Sequence, residues 1–233
     1  MVVSRPLSDR VQDTLLGFGA GVMLAACGFS LIIPGLAAAA SQGAGPWTAG
    51  SIICAGILLG AGLLLVIDYA LPHEHFIKGV EGSQAKALKR AWLFVFAICL
   101  HNLPEGLAIG VAFGGPDAAR AATLATGIAI QDVPEGLVVA LALRGAGYSR
   151  MLSAGLGMAS GLIEPIGGVL GASIVTVSAA LLPWGLAFAA GAMLFVVSHE
   201  IIPESHRKGH ERFATARLMV GFVLMMMLDT SLG

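Results

Sequence analysis

Two short phrases hold most of the chemistry in this chain: His101-Asn102-Leu103-Pro104-Glu105-Gly106 and Gln131-Asp132-Val133-Pro134-Glu135-Gly136, thirty positions apart in very apolar surroundings. On a helix, residues three and four apart share a face. Glu105 therefore stands beside Asn102 and His101, and Glu135 beside Asp132 and Gln131. Carboxylate, imidazole and amide heads without thiolates suit borderline or moderately hard divalent cations such as Zn²⁺, Fe²⁺ or Mn²⁺. The proline in each phrase has no N–H and crowds the carbonyl four residues back, which frees the carbonyls of Leu100 and Ile130 and predicts a pair of broken helices. Ser160-Gly161-Leu162-Ile163-Glu164-Pro165 is a degraded third version that again sets an acid beside a proline. A fourth polar group, His199-Glu200-Ile201-Ile202-Pro203-Glu204, is followed by His206 and His210.

The elements that must position these residues are transmembrane helices. The 233 residues are 57% hydrophobic and only 12% charged, with mean hydropathy +0.87; soluble domains carry about 25% charged residues. A span needs roughly 20 apolar residues, and seven stretches qualify: 12–38, 51–70, 91–113, 119–142, 151–178, 183–205 and 213–230. Only short loops remain, so the fold class is all-α, a polytopic transmembrane helix bundle forming a single domain over 1–233. The polar start at Met1 to Arg10 and the length of the first apolar run argue against a cleavable signal peptide. Cys27, Cys54 and Cys99 lie far apart in apolar spans, which predicts packing residues and neither ligands nor disulfides. A formal net charge of −1 points away from nucleic acid.

Lys and Arg number thirteen, and all but Arg120 fall in the segment before the first span or near the loops after the second, fourth and sixth. By the positive-inside rule that side is the cytoplasm, so the N-terminus lies inside and the C-terminus outside. The third and fourth spans then run antiparallel, with His101 and Asp132 at similar depth, as an inverted pair requires. Glu164 also falls near the midplane. His199 and Glu200, with Asp68, His73-Glu74-His75 after the second span, lie towards the cytoplasmic end. The last span has no midplane ionisable group and reads as scaffold.

Magnitude calls for compensation, by protons or by bound cations. An acid at a helix centre costs about 2.5–3.5 kcal/mol to insert, so Glu105, Asp132, Glu135 and Glu164 together cost on the order of 10 kcal/mol, comparable with the roughly 5–15 kcal/mol stability of a domain. No Lys or Arg sits mid-span to compensate. If ionised, the four carboxylates would be balanced by two divalent ions.

The two phrases, together with the later H-E-x-x-P-E, make the chain resemble the ZIP (Zrt/Irt-like) divalent metal transporters over nearly its whole length, most closely a prokaryotic member of known structure. The resemblance implies a binuclear midplane centre ligated by His101, Asn102, Glu105, Gln131, Asp132, Glu135 and Glu164. It also implies a cytoplasmic release path lined by Asp68, His73, His75, His199 and Glu200, with Met23 beside the route in. Zn²⁺ would be the transported substrate, with Cd²⁺, Fe²⁺ or Mn²⁺ as further candidates. The lipid bilayer of the cell (inner) membrane and a second copy in a homodimer would be its partners, and an elevator-like movement its mechanism. The family has eight spans where this chain shows seven, the pattern left when a first helix is absent. Two other classes stay open. A cation channel would pass metal without saturation. An intramembrane metallohydrolase would activate water on the same metal, although His199-Glu200-Ile201-Ile202 runs into Pro203 where H-E-x-x-H needs histidine. A retinal protein is excluded because every lysine lies in a loop.

Overall fold

A computed structural model describes residues 8–70, 83–207 and 209–232; His73 and His75 lie outside the described residues, as do the side chains of Asp68 and His101. The described chain forms helices throughout, arranged as seven rods. The first joins α1 (Asp9–Ala25) through a π-helical stretch (Ala26–Ile32) to α2 (Ile33–Ser41). Single helices follow: α3 (Pro46–Ala70), α4 (Ser83–Gly114) and α5 (Ala118–Gly145). The fifth rod runs α6 (Arg150–Ala159), a 3₁₀ turn (Ser160–Leu162) and α7 (Ile163–Val177). The sixth has α8 (Leu182–Val196), a second π stretch (Val197–Ile201) and α9 (Ile202–His206), and the seventh is α10 (Glu211–Leu232). Six of these rods are long and apolar enough to cross a membrane. The remaining one, α4, has 32 residues and carries the first phrase over the span expected at 91–113.

Small residues set the pairing, because helices in lipid gain most by close packing. In α4 and α7, a Cβ on Gly110 would stand 2.8 Å from Gly168 Cα, and one on Gly171 would stand 2.8 Å from Val111 N. Likewise α1 packs on α10 through Gly17, Gly21 and Gly221, and α3 on α8 through Gly56, Gly60 and Gly191. The largest apolar core lies where α1, its π stretch, α8 and α10 meet, around Met23, Leu31, Met193 and Met225. By contrast α3 and α7 turn Leu58, Val66, Val169 and Val177 outward, as helices facing hydrocarbon do.

Two expectations need correction. The ligand helices are not interrupted: α4 and α5 continue as α-helix through Pro104 and Pro134. Each proline removes one i→i−4 bond, and the flanking turns are long enough to carry the helix across it. Interruptions occur elsewhere, at the 3₁₀ turn before Glu164 and at the two π stretches near Pro34 and Pro203. The cysteines are free thiols, but only Cys27 is packed inside; Cys54 is exposed and Cys99 half-buried. Cys54 lies on the outward face of α3.

Candidate metal centre

Helices α4 and α5 lean together so that their phrases meet. One carboxylate oxygen from each of Glu105, Asp132 and Glu135 lies within 4.8 Å of the others. Glu105 is 0% exposed, Gln131 0% and Glu135 3%. The Gln131 Nε2 amide donates to Glu105 Oε1 and ties the two phrases directly. Gly19 of α1 closes the other side, with Glu135 Oε1 at 3.6 Å from the place a Cβ would occupy.

Asn102 is placed by the irregular turn of the fifth rod. Its Nδ2 donates to the Ser160 carbonyl at 2.9 Å, while Ser160 Oγ donates back to the Gly157 carbonyl at 2.8 Å. The amide nitrogen is thus spent on the backbone, and Oδ1 is left over. A cavity of 710 Å³ is lined by Asn102, Asp132, Glu135, Ser160 and Glu164, so Glu164 shares this space although it lies outside the tight group of three. His101 precedes Asn102 on α4.

The decisive feature is a set of orphan oxygens. Asn102 Oδ1, Glu105 Oε2, Gln131 Oε1, Asp132 Oδ1 and both Glu135 oxygens are buried with no hydrogen-bond partner among the described residues. An unsatisfied buried acceptor costs about 1–3 kcal/mol, so six together cost on the order of 10 kcal/mol. Such an arrangement needs an electrophile. Amide and carboxylate oxygens at this spacing provide the donor set of a hard or borderline cation.

The other site residues fall as follows. Met23 is buried in α1 at 1% exposure, one helical turn from Gly19. His199 and Glu200 sit on the second π stretch, where His199 stacks on Phe195 with ring centroids 5.0 Å apart. Asp68 lies near the end of α3. Single-turn π insertions within helices recur at functional positions, and the two here follow α1 and α8.

Two buried acids were not singled out from the sequence. Asp13, 1% exposed, receives His210 Nδ1 at 3.0 Å and fastens α1 to the start of α10. Asp229, 6% exposed, accepts from Ser30 Oγ at 2.7 Å. Ser30 belongs to the first π stretch, so α10 is more than featureless scaffold. Pro34, four residues on, crowds the Ser30 carbonyl and marks the helix there as irregular.

A family model described as ZIP Zinc transporter matches residues 72–229. The chain is 53% identical over 230 residues to the zinc transporter ZIPB of Bordetella bronchiseptica, covering 98% of this chain and 74% of that protein. It is 48% identical over 233 residues to the zinc transporter GufA of Myxococcus xanthus, covering 100% of this chain and 92% of that protein. Similarity extends to the human zinc transporter ZIP11, at 33% identity over 305 residues, with 96% and 89% of the two chains covered.

Proposed function

Because the chain belongs to the ZIP family of metal-ion transporters, and is a multi-pass membrane transporter and not an enzyme, we propose that it carries zinc into the cytoplasm through the carboxylate cluster of α4 and α5. The observation that supports this reading is the set of six orphan oxygens on Asn102, Glu105, Gln131, Asp132 and Glu135. A transported cation would satisfy them transiently. The relatives' printed names favour zinc; cadmium, iron and manganese share enough ligand chemistry to compete, with raw affinity favouring zinc over iron and manganese.

In this account two ions occupy the centre. His101, Glu105 and Gln131 hold one, Asn102, Asp132 and Glu164 the other, and Glu135 bridges them. Two divalent ions balance the four carboxylates, which poor solvation makes necessary. Met23 borders the route in, and Asp68, His73, His75, His199 and Glu200 line the route out. The protein sits in the cell membrane with its N-terminus cytoplasmic and its C-terminus outside, works as a homodimer, and moves its ligand helices as a carrier against the remaining ones.

Uptake of zinc into proteoliposomes, in competition with cadmium, iron and manganese, tests the proposal. Saturable zinc uptake that Glu105→Ala abolishes is expected. Flux rising linearly with metal concentration would replace the carrier by a channel.

A further inference from the structure

Trp92 of α4 and Tyr148, in the loop between α5 and α6, meet edge to face with ring centroids 6.2 Å apart and planes at 84°. Trp92 Nε1–H donates to the Tyr148 hydroxyl at 2.8 Å. Amphipathic rings of this kind settle at the level of lipid headgroups. The pair therefore marks where α4 and α5 leave the hydrocarbon. Arg144, in the last turn of α5, is held at the same level, since its Nη1 donates to the Tyr148 carbonyl at 2.6 Å. The turn between them is made by Gly147 at φ +101°, a conformation that side chains resist. A guanidinium has five N–H donors, and Arg144 is exposed, so most of its fork faces outward.

The sequence on either side of this fork is basic. Arg150 opens α6, whose first turn adds the positive end of a helix dipole. Lys86, Lys89 and Arg90 occupy the turns of α4 just before Trp92. Residues 83–92 and 142–152 contain these five basic groups and no Asp or Glu. Beside Arg150, Met151 is 80% exposed and Leu152 47%, an apolar shelf next to a cationic one.

We infer that this corner, built by Arg144 and the Trp92–Tyr148 pair with Arg150 two residues beyond Tyr148, binds the phosphate of an anionic phospholipid. Planar guanidinium forks fit phosphate oxygens two at a time. Tyr148 accepts from Trp92 and keeps its own O–H to donate. Depth selects the lipid over a soluble anion: the aromatic pair holds the donors at the headgroup plane, and Met151 and Leu152 receive the upper part of an acyl chain. Bound there, the lipid fastens the ends of both helices that carry the central carboxylates.

The test uses the full chain in detergent with added phosphatidylglycerol or phosphatidylcholine, read by native mass spectrometry and thermal unfolding. Phosphatidylglycerol should remain bound and raise the unfolding temperature, and phosphatidylcholine should not. R144Q/R150Q should weaken phosphatidylglycerol binding about fivefold for each charge removed. R144K/R150K, which keeps charge and loses the fork, should fall between and provides the reading if the double glutamine variant fails to fold. R212Q/R217Q, with the same loss of net charge elsewhere, should stay within about twofold of the parent. Equal weakening by R212Q/R217Q, unchanged binding in R144Q/R150Q, or displacement of the lipid by inorganic phosphate would each overturn the inference.

Discussion

Glu135→Gln should act with opposite signs on the empty and the metal-loaded protein. Both Glu135 oxygens lack a hydrogen-bond partner, so the isosteric amide sacrifices no bond within the protein. It removes a negative charge whose oxygen lies within 4.8 Å of those of Glu105 and Asp132. At an effective dielectric constant of about 20, one ionised pair at that separation repels by about 3 kcal/mol. Relieving one pair should raise the unfolding temperature of the chelator-treated protein by roughly 6–12 °C, given about 2–4 °C per kcal/mol for a chain of this size. Zinc at a hundredfold excess over its dissociation constant should stabilise the parent by about 2.7 kcal/mol. The variant should lose most of that gain, together with transport. Thermal unfolding in detergent, with chelator and with zinc, reads both arms. A variant that unfolds earlier without metal and still gains the full zinc increment would refute the reasoning, because Glu135 would then be a structural acid with hidden partners.

His199→Ala and Glu200→Ala should lower maximal zinc uptake by more than they change apparent affinity, since both sit on the π stretch of the sixth rod and neither belongs to the α4 and α5 phrases; initial rates against zinc concentration in proteoliposomes check this. Gly110→Ala would place its Cβ 2.7 Å from the Gly168 carbonyl carbon, forcing α4 from α7 at a cost of about 1–3 kcal/mol, visible as a lower unfolding temperature and reduced uptake. After Cys27, Cys54 and Cys99 are replaced, single cysteines at 41–47 and 114–117 should react with impermeant reagents from outside and those at 81–86 should not; the reverse pattern would invert the direction of transport.

The rods were legible because uninterrupted apolar runs bounded by charged loops have few other uses, and the ends of α5 and α10 fall within about three residues of the expected spans. The central carboxylates were legible because helical spacing alone puts Glu105 beside Asn102 and Glu135 beside Asp132. What brings the two phrases together, the Gln131 bond to Glu105, is tertiary. Prolines were read too strongly at 104 and 134, where long helices absorb the lost bond. They were read too weakly at 203, where the turns before it become π-helical. Asp13 falls just inside the first expected span, 12–38, where nothing local marks it as paired. Only the packing of α1 against α10 brings His210 to it, 197 positions away. Asp229 was hidden for the same reason, its partner Ser30 lying 199 positions earlier.

Anomalous diffraction from crystals soaked in excess zinc or cadmium tests the metal centre most directly. The account predicts two peaks at the midplane of the bundle, with Glu135 between them, His101, Glu105 and Gln131 around one and Asn102, Asp132 and Glu164 around the other. A single peak at full occupancy, with the second set of side chains hydrogen-bonded to one another, would contradict it.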